Sequence, residues 1–402
     1  MGRFRLDRHP LSSFVLLYVF MYAAFGVASP FWPLFFEERG VGPEQLGLLL
    51  ALGTAVRLVS GPLAGWMADR LGARRAVLVV CIAMSGTAAL GLLLPGGFPA
   101  LLLASLCQAA VLAPVTTLAD ALATRQGDAT AMAGRFEYGW VRGAGSAAFV
   151  VGTLIAGQVV SAVGLTSIIL LHAGLLAGAT LVASLSISAA VDHAAVTEHK
   201  ASPLKGLIAL LHVPLFRRLL LVAALILGSH AMHDAFAVIR WNAAGIGPVM
   251  VSFLWSLSVA AEVIVFFLIG PPLVARAGPA GAAAIAAVAG VLRWSVMALS
   301  TDPLALALVQ PLHGLTFALL HLGCMRLMIE IVPARLAATG QAIYAFVAAA
   351  VTALLTLAAG ALYARFGAAA FFAMAGLCAA ALPLTRGLRL RAAGQGQAAI
   401  SG

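Results

Sequence analysis

Apolar residues run along this chain in long stretches separated by short polar loops. A helix needs about 20 mostly apolar residues to cross the hydrocarbon core of a bilayer. By that measure the first half holds spans near 12–36, 44–68, 75–95, 99–124, 137–163 and 165–190. The second half holds spans near 216–242, 248–271, 279–300, 303–330, 338–364 and 367–387. Lipid offers no partner to backbone N–H and C=O groups, so each span must satisfy its own as an α-helix. The longest polar connection runs from Val191 to Leu215 and holds Asp192, His193, Glu198, His199, Lys200 and Lys205. The pattern predicts an all-α integral membrane protein with twelve transmembrane helices in two pseudo-symmetric bundles. The first six-helix bundle takes 1–190, a linker 191–215, the second bundle 216–390 and a tail 391–402.

Charge then sets the orientation. Lys and Arg crowd alternate loops, from Arg3, Arg5 and Arg8 through Arg70, Arg74 and Arg75 to Arg386, Arg389 and Arg391, while the opposite loops hold Arg39 and Arg365. The positive-inside rule places both termini and the linker in the cytoplasm, here of a bacterial inner membrane. The first apolar run is too long for a signal peptide and reads as an uncleaved span.

Composition adds two points. The chain is 62% hydrophobic and 9% charged, against about 45–50% and 25% in soluble domains, so lipid must cover most of its surface. The net charge of +10 follows from the inner loops rather than from one basic patch, which argues against a nucleic-acid partner. Cys81, Cys107, Cys324 and Cys378 each stand alone in an apolar stretch and read as buried packing residues. No cofactor or metal is expected. The two halves also rhyme: a shift of about 205 residues lays Leu63 on Leu268, Gly65 on Gly270 and Arg57 on Glu262, as in transporters built from repeats.

Between the second and third spans stands Gly65-Trp66-Met67-Ala68-Asp69-Arg70-Leu71-Gly72-Ala73-Arg74-Arg75. Its glycines permit a tight turn. Asp69 is expected against a helix N-terminus and the arginines against neighbouring helix ends. The pattern G-x-x-x-D-R-x-G-x-R-R resembles the signature loop of the major facilitator superfamily. PVTTLADALA (114–123), Tyr138 to Arg142, HAMHDAFAVIRWNAAG, GVLRWSVM and Gln310-Pro311-Leu312-His313 extend the likeness. Together they resemble the phenylpropionate-permease branch, relatives of the lactose permease that work as proton symporters. The resemblance implies a monomeric secondary transporter for a small solute.

A charge inside a span costs roughly 2.5–3.5 kcal/mol on insertion scales, so each is a candidate for function. Glu262, Arg293, His313 and His230 fall near mid-span in the second half, with Glu262 and Arg293 at a depth where they can pair. In the lactose permease a Glu, an Arg and a His on the corresponding helices bind sugar and couple protons. The resemblance carries that role to Glu262, Arg293 and His313. The permease's proton-carrying carboxylate corresponds to Thr316, which does not titrate, leaving Glu262 as first proton carrier and Asp234 and Asp120 in reserve. Asp120 and Arg142 are expected to meet as a gate pair or a ligand site, and Glu137 to mark the inner boundary. Arg57 has no local acid. His230, His233 and Asp234 share one helical face as a polar stripe, and Arg326 pairs with Glu330 one turn on.

Substrate-binding candidates are therefore Arg57, Arg142, Glu262, Arg293, His313 and His230. Three arginines favour a small organic acid with an aromatic body. The alternatives are a proton-coupled sugar or nucleoside symporter and a proton-driven exporter. A membrane enzyme is disfavoured because the sequence has no G-x-S-x-G, H-E-x-x-H or P-loop. A non-transporting sensor would need an output domain.

Overall fold

The computed structural model describes residues 10–130, 138–187 and 203–389. The expectations placed on the N-terminal arginines, Glu137, Glu198 and its neighbours, and the 391–402 tail lie outside the described residues. Every regular element among the described residues is helical. The first half comprises α1 (Pro10–Glu38), α2 (Pro43–Leu71), α3 (Arg74–Leu90), α4 (Phe98–Thr130), α5 (Tyr138–Val163) and α6 (Ser167–Leu185). The second comprises α7 (Pro203–Leu211), α8 (Pro214–Gly228), α9 (Ala231–Ala243), α10 (Pro248–Ile264), α11 (Gly270–Leu299), α12 (Pro303–Val309), α13 (Leu320–Ile331), α14 (Ala337–Phe366) and α15 (Phe371–Thr385).

Ten stretches of these residues are long and apolar enough to cross a membrane. Two of them, Pro248–Leu299 with 52 residues and Ala334–Leu388 with 55, exceed a single crossing more than twofold. The first turns at Gly278, with φ 67° and ψ 174° inside α11, and the second at Gly367, with φ 54°. Such φ values are cheap only for glycine. Counting each long stretch as two crossings brings the total to the expected twelve.

Three details differ from the pattern. The seventh span is broken, with α8 ending at Gly228 and α9 starting at Ala231. The tenth is interrupted at Gln310 and Pro311, since proline cannot continue the hydrogen-bond ladder. The predicted linker is partly helix: α7 lies within it, its Gly206 against Leu336 and Thr339 ahead of and within α14, and α8 already begins at Pro214. Of the four cysteines, Cys81, Cys324 and Cys378 are buried as expected, but Cys107 is exposed on α4.

Helices α1 to α6 pack mostly on one another, as do α8 to α15, and the halves meet along α2 with α14, α5 with α10 and α1 with α9. The seam is tightest at the end away from the 65–75 loop, called the far end below. There a Cβ on Gly47 would stand 2.9 Å from Gly360 Cα, and one on Gly157 would collide with the Ser252 side chain. Phe31 and Leu46 of the first half join Phe236 and Trp241 of the second in one buried cluster. Toward the loop end Asp120 and Arg142 stay 37% and 42% exposed. A cavity of about 490 Å³ lies between the halves, with walls from both.

Candidate functional site

The 65–75 loop closes α2. Gly72 takes φ 59°, and the Ala73 N–H donates to the Ala68 carbonyl at 3.1 Å, a cap that uses carbonyls the helix leaves open. Arg75 Nε donates to the Ala183 carbonyl at 3.1 Å, and Arg75 also reaches the Ser184 carbonyl, in the last turn of α6. The arginine thus bridges to a neighbouring helix end as predicted. Asp69 accepts from the side chain of Arg74, the first residue of α3, and makes no capping hydrogen bond to the backbone there. Arg70 lies over the Trp66 ring.

Arg293, on α11, is the hub of the second half and is fully buried. A guanidinium has five donors in a fixed fork. Here Nη1 donates to His313 Nδ1 at 3.0 Å, and Nη2 donates to Gln310 Oε1 at 2.8 Å and to His233 Nε2 at 3.3 Å. The group also lies 4.5 Å from the Trp294 ring centroid. Ser258 of α10 donates to the same Gln310 oxygen at 2.8 Å.

Because His313 Nδ1 accepts from Arg293, the neutral ring carries its proton on Nε2. That nitrogen faces Glu262 Oε2 at 3.4 Å. Glu262 and Arg293 therefore do not pair directly; His313 stands between them. The backbone explains the approach. Both carrying spans switch to a π-helical turn just after these residues, at Val265–Ile269 and Gly314–Leu319. A Cβ on Gly314 would stand 2.6 Å from the Ala261 carbonyl oxygen, so only glycine lets the two spans come this close. Such π-turns recur at functional sites because they re-aim side chains.

The stripe predicted for His230, His233 and Asp234 is split. His230 sits in the break between α8 and α9, buried, with Nδ1 on the Leu227 carbonyl at 3.0 Å and Nε2 on Thr316 Oγ1 at 2.9 Å. His233 is buried and donates through Nδ1 to Asp234 Oδ1 at 3.1 Å. Asp234 alone turns outward, its side chain 60% exposed, and lines the cavity.

In the first half Asp120 and Arg142 lie 3.7 Å apart. Three tyrosines complete this cluster: Tyr18 and Tyr22, which carry no signal in the sequence, and Tyr138, visible there only as the first residue of a longer motif. Tyr18 and Tyr138 donate to Asp120, the latter at 2.7 Å, and Arg142 donates to the Tyr22 hydroxyl and lies over its ring. Arg326 and Glu330 form the expected local pair at 2.9 Å.

Arg57 differs from both other arginines. It lines the cavity and makes no hydrogen bond or ion pair with any described residue. Phe25, Trp32 and Phe149 wall the same space, with Asp234 across the seam. Gln108 and His172, on α4 and α6, also line it. They give no sequence signal beyond being lone polar residues in apolar stretches. Gln310 is visible in the sequence only as part of a longer motif.

A two-halved bundle of membrane-crossing helices with a cavity at its seam is the architecture of a membrane transporter, and the relatives below place the chain in that class rather than among enzymes. The chain belongs to the MFS_1 like family, whose model matches residues 11–374. It is 30% identical over 365 residues to the probable 3-phenylpropionic acid transporter of Escherichia coli (strain K12), covering 89% of this chain and 92% of that one. Among solved structures it resembles the nucleoside transporter NupG, with a TM-score of 0.82 at 15% identity over 95% of this chain and 99% of that one. A bacterial homolog of the human lysosomal transporter Spinster, in an inward-facing and unoccupied conformation, matches with a TM-score of 0.71 at 15% identity, over 93% and 95% of the two chains.

Proposed function

We propose that this transporter takes up a small organic acid with an aromatic body, together with protons, by alternating access. The observation that carries the reading is Arg57. A guanidinium within a span, facing a cavity of about 490 Å³ walled by Trp32, Phe25 and Phe149 and lacking a protein partner among the described residues, is a site for a carboxylate. The volume falls within the range of small-molecule pockets. The 30% identical relative, named a probable 3-phenylpropionic acid transporter, supports the same solute class.

Residues 1–190 and 216–390 act as the two moving units, with 191–215 between them. With the termini and the 65–75 loop in the cytoplasm, the tight far-end seam makes this an inward-open form of an inner-membrane protein. A cysteine at Glu198 then resists membrane-impermeant reagents in intact cells; labelling there would reverse the topology. Glu262 carries the proton and passes its state through His313 to Arg293. Coupling requires that its charged and neutral forms favour different conformations.

Purified protein in liposomes, with the interior alkaline, should take up 3-phenylpropionate faster than protein-free vesicles, which set the baseline for passive entry of a weak acid. Accumulation of neutral sugars or nucleosides, with aromatic acids at the protein-free baseline, would overturn the reading.

A further inference from the structure

The far-end wall of the cavity holds polar groups that the carboxylate site does not use. His172 Nδ1 lies 2.9 Å from the Ala24 carbonyl, which only accepts, so the neutral ring carries its proton there and presents a lone pair at Nε2. Gln108 Nε2 lies 3.3 Å from that nitrogen and must be its donor. The amide is thereby oriented, and Gln108 Oε1 is left as an acceptor with no partner among the described residues. Gln108 is 4% exposed and lines the cavity. Ser105 stands three residues earlier on the same face of α4. It too lines the cavity, is 6% exposed, and its hydroxyl is buried with no hydrogen-bond partner. Of the two, the Ser105 hydroxyl is the enclosed unmet group, and such a group forfeits about 1–3 kcal/mol; Gln108 lines the cavity.

Depth separates this wall from Arg57. Helices α2, α4 and α6 all start at the far end, at Pro43, Phe98 and Ser167. At 1.5 Å per residue, Arg57 lies about 21 Å along its helix, Gln108 about 15 Å, Ser105 about 10 Å and His172 about 8 Å. Trp32, six residues before the far end of α1, stands about 9 Å from that end, level with Ser105 and His172, and its ring centroid is 5.4 Å from that of His172. A molecule with its carboxylate at Arg57 and its ring pointing toward Trp32 would place the far edge of that ring at Gln108 and Ser105.

We propose that Gln108 and Ser105, oriented by His172, form a second polar subsite that receives a hydroxyl on the aromatic ring of the transported acid. The preferred solutes are then ring-hydroxylated arylalkanoates rather than the unsubstituted acids. The hydroxyl donates to Gln108 Oε1, and a change of the Ser105 rotamer brings its enclosed hydroxyl round to donate in turn. This inference rests on the reading of Arg57 as the carboxylate anchor.

The test compares 3-phenylpropionate with its 3-hydroxyphenyl and 4-hydroxyphenyl counterparts as competitors of uptake in proteoliposomes, for the wild-type protein, Gln108→Leu and Ser105→Ala. In the wild type at least one hydroxylated acid should bind about three- to tenfold more tightly than the parent, the worth of one net hydrogen bond. In Gln108→Leu that ratio should fall to about one, whatever happens to the parent's own affinity. Ser105→Ala, the milder change, should lower it partway and guards against misfolding of the first variant. A wild-type ratio of one or less overturns the subsite while leaving the anchor intact. A preference that both variants keep overturns it as well. Failure of all three acids to compete removes the anchor and the subsite together.

Discussion

Arg57 and Arg293 stand on opposite sides of the seam and differ in almost everything but residue type. Arg293 is fully enclosed, spends its fork on His313, Gln310 and His233, and rests against Trp294. Arg57 faces the cavity and no described residue answers its charge. The first arginine organises the protein, while the second is left for something that arrives. Arg142 falls between them, held by Tyr22 and Asp120 yet 42% exposed. In a membrane, where each buried charge is costly, the partner list of a cation separates architecture from recognition better than its depth does.

The sharpest way to break this comparison is to remove the hub. Arg293→Gln takes the shared donor from three buried acceptors, of which Gln310 keeps Ser258, and should cost about 1–3 kcal/mol for each of the two histidine nitrogens left unmet. Thermal unfolding in detergent should show a large loss, and Arg293→Lys should not restore it, because an ammonium lacks the fork. Arg57→Gln in the same assay should unfold no earlier than wild type. Equal losses at the two positions would erase the distinction.

The relay comes next. Glu262→Gln fixes the neutral form of the group facing His313. It should abolish accumulation driven by a pH gradient yet keep exchange of substrate across the membrane, which needs no deprotonation. Asp234→Asn and Asp120→Asn are the parallel tests. A Glu262→Gln protein that still accumulates substrate in response to pH would reduce this residue to binding or structure.

A smaller effect is expected at Asp120 and Arg142. Their side chains are 37% and 42% exposed, so their coupling in a double-mutant cycle of unfolding should be about 1 kcal/mol or less. Tyr18 and Tyr138 remain as donors to Asp120 when Arg142 is lost. A coupling of several kcal/mol would show a pair that is enclosed for much of the time.

Much of this is legible in the chain, for physical reasons. Span length follows from bilayer thickness, so the helices and the 65–75 loop stand out, as does the bridge from Arg75 to a neighbouring helix end. Arg57 stands out because no acid lies near it in sequence. Contacts between distant helices do not. The insertion of His313 between Glu262 and Arg293 depends on two π-turns and on the approach at Gly314, which no local propensity announces. The polar stripe at 230–234 assumes an unbroken helix, and the break at His230 turns two of its members inward. Cys107 reads as buried because an apolar stretch looks the same whether it faces protein or lipid. His172 and Gln108 are single polar residues in apolar runs, and their meaning lies only in what they face across the bundle.

The most direct measurement is the affinity of purified protein for 3-phenylpropionate, followed by isothermal titration, in the wild type and in Arg57→Gln. A charge-assisted hydrogen bond contributes about 1.5–3 kcal/mol, so the substitution should weaken binding roughly ten- to hundredfold, with Arg57→Lys recovering part of the loss and the fold unchanged by thermal unfolding. Wild-type affinity in a folded Arg57→Gln protein would show that the carboxylate is held elsewhere and would contradict the account.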